Sequence, residues 1–369
     1  MRARSSKICS RARTLAGAVV ASVLLVAVIG CVPLAGGDTP QPLLIGRDYP
    51  IEAGISFPFA LLHWLDSLAG LDGPGMTAGK TIEAHRREYV ERLGAPDDAT
   101  LEQLREFVGL RWSSVKRLGR ERRHALSLVF LEARDLDQAL AASSELLSDD
   151  ERDALRRTVE RFAPLYRSIW DDGEVARRFV DGVRGHDAGR ALARFLTDVA
   201  RFYGVPPDRA PHPRIVPLPV VPGYGTHAQA IDRHLLIEIR DGERLLDEIA
   251  PIVHENAHFL FYRIDERRRE RLEAHAASIE PGGIEAWRML HEALPTAIGQ
   301  GVAVRRFAES AWSMNDRWYH VDEIDAYAKR VYPLVRDRLA TGGELDESFI
   351  DMAVALYVGE RPPITPRSP

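Results

Sequence analysis

Residues 254–258 read His-Glu-Asn-Ala-His, two imidazoles four residues apart with a carboxylate between them. On a helix, positions i and i+4 share one face, so His254 and His258 can hold one Zn²⁺ between them. Glu255, a quarter turn or so from His254, can then reach a water on that ion as general base. The flanks supply the element that would carry these groups. Ile249, Ile252, Val253, Ala257, Leu260, Phe261 and Ile264 recur at near-helical spacing, and Pro251 suits a first turn, which predicts a mostly buried helix.

Two imidazoles leave such a site incomplete, because a hydrolytic zinc centre takes three protein ligands and keeps the fourth position open. Phe261 and Ile264 stand where Gly and His would extend the motif in a metzincin, which excludes that branch. Further on, residues 283–301 read GIEAWRMLHEALPTAIGQG, and Glu292 lies 34 residues after His258. That interval leaves room for a helix to end, a turn at Pro281-Gly282-Gly283 and an antiparallel helix to return.

Through HENAH at 254–258 and HEALPTAIGQG at 291–301, the chain resembles the gluzincin-type zinc metallopeptidases, the broad group that includes thermolysin. The resemblance covers the stretch from the strand near residue 213 to residue 301. It implies a zincin-like catalytic region, His254, His258 and Glu292 as Zn²⁺ ligands, Glu255 as catalytic base, and a peptide or protein as substrate. Glu285, one heptad earlier on the same helical face, competes as third ligand, as do Glu273 and Glu280; His291 points about 100° away from Glu292. Two positions depart from the family pattern. Thr296 replaces an Asp that commonly supports a zinc-bound His, and its hydroxyl can hydrogen-bond without supplying the charge. Pro295 predicts a kink in the second helix. These departures motivate an alternative, a non-catalytic periplasmic lipoprotein that binds a partner and carries a structural or decayed zinc site.

Upstream, His234 to Ile239 reads as a strand closed by the turn-like Asp241-Gly242. In gluzincins the strand before the HExxH helix is often an edge to which extended substrate adds; the competing expectation is a buried hairpin with 214–221. Pro217 and Pro219 place that first strand at an edge or make it irregular. Downstream, Tyr319 or His320 can donate to the oxyanion of an attacked carbonyl, unless they are an ordinary helix-entry aromatic and a surface histidine. His227 is a further candidate.

Arg2, Arg4, Lys7, Arg11 and Arg13 precede an apolar run over 14–30, followed by Cys31. This reads as a bacterial lipoprotein signal peptide, residues 1–30, cleaved before a lipidated Cys31, with residues 31–50 as a flexible tether. The expected location is the outer membrane of an exported lipoprotein, at its periplasmic face or the cell surface, with the membrane held through the lipid anchor. The chain's only other cysteine is Cys9, so the mature protein has neither a disulfide nor a thiolate site. Loss of residues 1–30 takes the net charge from −5 to −10, which disfavours nucleic acid as a partner. Helical periodicity dominates 51–204, and strand character is confined to 213–240. The expected fold is therefore α+β and predominantly helical, with a helical N-terminal region at 51–204 and a zincin-like metallopeptidase region at 205–369, its small sheet preceding the HExxH helix.

Overall fold

Apolar residues at helical spacing build the first half of the chain. Leu61, Leu62, Trp64, Leu65 and Leu68 are the buried face of α1 (Phe57–Ala69). The Ser56 hydroxyl accepts from the Phe59 N–H at 3.4 Å to start this helix, and Gly70, at φ 74°, ends it in a left-handed conformation that costs a side chain dearly. There follow α2 (Gly79–Leu93), α3 (Asp98–Leu118), α4 (Ala125–Glu132), α5 (Leu136–Ala142), α6 (Asp149–Trp170), α7 (Glu174–Gly185) and α8 (Asp187–Phe202). The structure, a computed structural model, describes residues 43–45, 50–71, 79–118, 124–170, 174–185, 187–206, 211–220 and 227–359. The signal segment 1–30 and Cys31 lie outside the described residues.

Five short strands form one sheet in the order β1-β2-β3-β5-β4: β1 (Leu43–Ile45), β2 (Ile51–Ala53), β3 (Arg214–Pro219), β4 (Ala228–Ile231) and β5 (His234–Ile239). The end of the expected tether is thus a strand, because the apolar run Leu43-Leu44-Ile45 pairs antiparallel with Ile51–Ala53. Strand β5 is not an edge, and it does not form a hairpin with β3. It pairs parallel with β3 on one side and antiparallel with β4 on the other, joined to β4 through a turn in which Asp232 has φ 49°. The edges are β1 and β4, and the four residues of β4, Ala-Gln-Ala-Ile, are too few to register as an alternating pattern. Strand β3 lies inside the sheet, between β2 and β5, and not at an edge; its prolines are accommodated because β2 pairs only with Arg214 and Ile215 and stops short of Pro217 and Pro219.

Each face of the sheet carries its own core. Leu235, Ile237 and Ile239 of β5 join one cluster, and Leu236 joins the other, as alternate residues of a strand must. The first cluster contains α9 (Ile249–Phe261), α10 (Glu266–Ser278), α11 (Gly283–Thr296), α13 (Asp322–Thr341) and α14 (Glu347–Val358), with α12 (Val304–Phe307) against it. The second contains α1 to α6. Helices α7 and α8 pack with α9 to α14, and the described residues form one compact unit. Among the described residues, no helix is long and apolar enough to cross a membrane.

The internal prolines Pro164 of α6, Pro295 of α11 and Pro333 of α13 do not end their helices. Helix α13 continues through Pro333 because Val335 beyond it is buried in the core. Helix α11 continues through Pro295 and then widens into a π-helical stretch, Ala297–Ala303. Pro295 has no N–H to offer the carbonyl of His291, and loosening the backbone ladder after such a gap is one route to a π turn.

At the head of α9, Glu248 is 3% exposed. Burial, together with the charge and hydrogen bond of Glu243, pushes its pKa up to about 8. A carboxyl whose folded pKa is raised contributes stability that is complete below its unfolded value of 4.5 and is lost as pH rises through about 8. The wild-type Tm should therefore fall by several degrees relative to Glu248→Gln between about pH 5 and pH 9. Parallel melting curves for the two proteins over that range would remove Glu248 from this role.

Candidate metal centre

Helix α9 keeps the apolar stripe expected of it buried and turns His254 and His258 to one side. Their Nε2 atoms are 3.0 Å apart. Helix α11 returns against α9 and brings Glu292 Oε2 to 3.6 Å from His254 Nε2 and 3.4 Å from His258 Nε2. Among the described residues these are the only three His, Cys, Asp or Glu side chains that converge closely enough to share a metal ion. Glu285, Glu273 and Glu280 are exposed and lie outside that group.

The donor set can be tested against the ion it would hold. Bonds of about 2.0–2.1 Å in a tetrahedron set neighbouring ligand atoms about 3.3 Å apart. The three separations bracket that value, and two imidazoles with one carboxylate are the donor types that zinc takes in hydrolytic sites. The electrostatics agree. Burial would raise the Glu292 carboxyl, but the hydrogen bonds and charges of His254 and His258 outweigh it and hold the group far below the usual carboxylate range. Burial would likewise lower His258, and the bond and charge of Glu292, with Glu255, instead raise it. The centre is thus a preformed arrangement of mutually attracting groups.

The π-helical stretch sets the spacing between α11 and α9. A Cβ on Gly299 would lie 2.7 Å from the Ala250 carbonyl and 3.3 Å from the His254 amide, so only glycine allows this approach beside the first histidine. Thr296 does not take the supporting part expected of it. It is 0% exposed, and its hydroxyl has no hydrogen-bond partner among the described residues. His291 packs between Phe261 and Trp287, with ring centroids 4.5 and 5.5 Å away, and burial lowers its pKa. It serves packing, away from the other three.

Tyr319 reaches the centre from the loop before α13. Its hydroxyl donates to Glu292 Oε2 at 3.0 Å, and its ring lies nearly parallel to that of His254, 6.1 Å between centroids. Burial and the negative charge of Glu292 raise its pKa, so it is a neutral O–H donor. The Trp318 and Tyr319 amides both donate to Asp325 Oδ1, at 2.6 and 3.0 Å, which fixes this segment on the first turn of α13. His320 is exposed and stacks on the Tyr319 ring at 4.4 Å, lining the same cleft.

That cleft measures about 750 Å³ and holds His254, Glu255, His258 and Glu292. The edge strand β4 lines it through Ala228, Gln229 and Ala230, with His227 beside them. His124, which precedes α4, lines it from the other core. Nothing in the residues around His124 announces this position, since it results from packing between segments more than a hundred residues apart. Comparison with protein-family models, with curated proteins and with solved structures finds no match to this chain.

Proposed function

We propose that this chain is a zinc-dependent peptidase, anchored to a membrane on the exported side through Cys31. The observation that carries this reading is the convergence of His254, His258 and Glu292 in a cleft that also contains Glu255 and the free edge of β4. Zinc, when bound, supplies a water of lowered pKa and polarises the carbonyl to be attacked. The chain's own groups do the rest. Backbone N–H and C=O groups of β4 hydrogen-bond an extended peptide as an added strand. Glu255 accepts the proton of the attacking water on its carboxylate and passes it to the leaving amine. Tyr319, a neutral donor beside Glu292, turns its O–H toward the developing oxyanion.

The partnerless Thr296 hydroxyl favours a second reading, a zinc site that is structural and a protein that binds without turnover. Both readings require the metal. Elemental analysis should find about one zinc per chain in the wild type and under about 0.1 in His258→Ala, since two remaining ligands bind zinc far more weakly. Equal zinc in both proteins would remove His258 from the centre, and no zinc in either would overturn both readings.

A further inference from the structure

Glu238 interrupts an otherwise apolar strand, Leu235-Leu236-Ile237-Glu238-Ile239, and is 1% exposed. A carboxylate so placed is strongly destabilising unless its oxygens find partners. Its two oxygens differ: Oε2 is hydrogen-bonded, whereas Oε1 has no hydrogen bond and only the His63 ring within ion-pair distance. Oε2 accepts from Thr81 Oγ1 of α2 at 2.9 Å and from the His227 backbone N–H at 2.9 Å. Oε1 lies 3.3 Å from His63 Nε2 of α1. The Glu238 N–H in turn donates to the His227 carbonyl at 2.9 Å.

His227 is the residue just before β4 and lines the cleft. An ordinary antiparallel ladder would satisfy its N–H with the backbone carbonyl opposite. Here a side chain takes that place, and this side chain is held by helices of the other core. Strand β4 has four residues, a single neighbouring strand, and three of its four residues only half-buried, so the ladder alone leaves it prone to fray.

We infer that Glu238 is a positioning residue: with Thr81 and His63 it pins the start of β4, so that α1 and α2 set where the edge strand presents its backbone to an extended peptide opposite His254 and Glu255. The peptide-binding part of this inference rests on the peptidase reading above; the pin itself does not. Thr81→Val removes the hydroxyl donor at nearly constant shape, and Thr81→Ser restores it.

Amide hydrogen exchange on the full chain, with zinc content and peptide kinetics measured on the same samples, tests the pin. In Thr81→Val the amides of residues 227–230 should exchange about tenfold faster, with those of α9 and the zinc content unchanged. KM for an extended peptide should rise about fivefold to tenfold while kcat stays within about twofold, and Thr81→Ser should reverse both changes. Unchanged exchange at 227–230, acceleration spread equally over the whole chain, or a fall in kcat at constant KM would each overturn it. Should Thr81→Val not fold, Glu238→Gln is read by the same criteria. If wild-type protein hydrolyses no peptide, the exchange result alone decides the pin, and the absent hydrolysis counts against the peptidase reading only.

Discussion

Glu255→Gln should keep about one zinc per chain and lose about a thousandfold in kcat/KM for peptide hydrolysis. Glu255 is not among the three groups whose donor atoms converge, so removing its charge leaves those contacts intact. It lines the same cleft from the intervening position of the same helix, where its carboxylate is the group able to accept a proton from an attacking water. Gln is nearly isosteric and keeps a carbonyl acceptor, but it cannot take up a proton near neutral pH. A proton-transfer group of this kind contributes about 10² to 10⁴ in rate, and the middle of that range is the expectation here. Activity retained within tenfold would remove Glu255 as the base. Zinc lost along with activity would show that the carboxylate supports the metal rather than the reaction.

The second large effect concerns stability. Asp66 of α1 and Arg111 of α3 form an ion pair inside the core of α1 to α6, with side chains 1% and 0% exposed. Arg111 Nε and Nη2 donate to the two Asp66 oxygens at 2.9 and 2.8 Å. Asp66→Asn leaves a buried guanidinium facing a neutral amide, a loss of about 3–5 kcal/mol in unfolding free energy. Replacing both residues together, Asp66→Leu with Arg111→Met, should recover most of it, because the pair's attraction roughly offsets its own desolvation. Urea denaturation of the three proteins measures both numbers. A single-variant loss below about 1 kcal/mol would mean that water reaches the pair. Zinc content should not change in any folded variant, since the pair lies in the other core.

Much of the helical architecture is legible in the amino-acid sequence, because it depends on local spacing. The stripe from Ile249 to Ile264 is buried as its period requires, and α1, α3 and α6 lie where their apolar residues recur. The third member of the candidate centre is legible in a different way: Glu292 stands out by its distance from HENAH and by resemblance, with Glu285 left in competition. Position along the helix decides between the two, since residues seven apart share a face. Glu292 turns inward against α9, while Glu285, two turns earlier in the first turn of α11, is exposed. The sheet is less legible. Short strands carry little periodicity, and strand pairing is a contact between distant residues that no local window contains. The AQAI of β4 carries no such signal, and the stronger pattern of β5 draws the expectation of an edge to the wrong strand.

By itself, the sequence singled out the candidate groups: two histidines and a glutamate at helical spacing, and a second glutamate 34 residues further on. It also determined that α9 would be buried, since spacing along one helix is a local property. Tertiary structure alone decided that Glu292 meets the histidines, that Tyr319 donates to it, that His124 crosses from the other core, and that Glu238 holds the start of β4. Each of those is a meeting of side chains from elements far apart in sequence. Such meetings are set by how two cores pack against one sheet, a property of the whole chain.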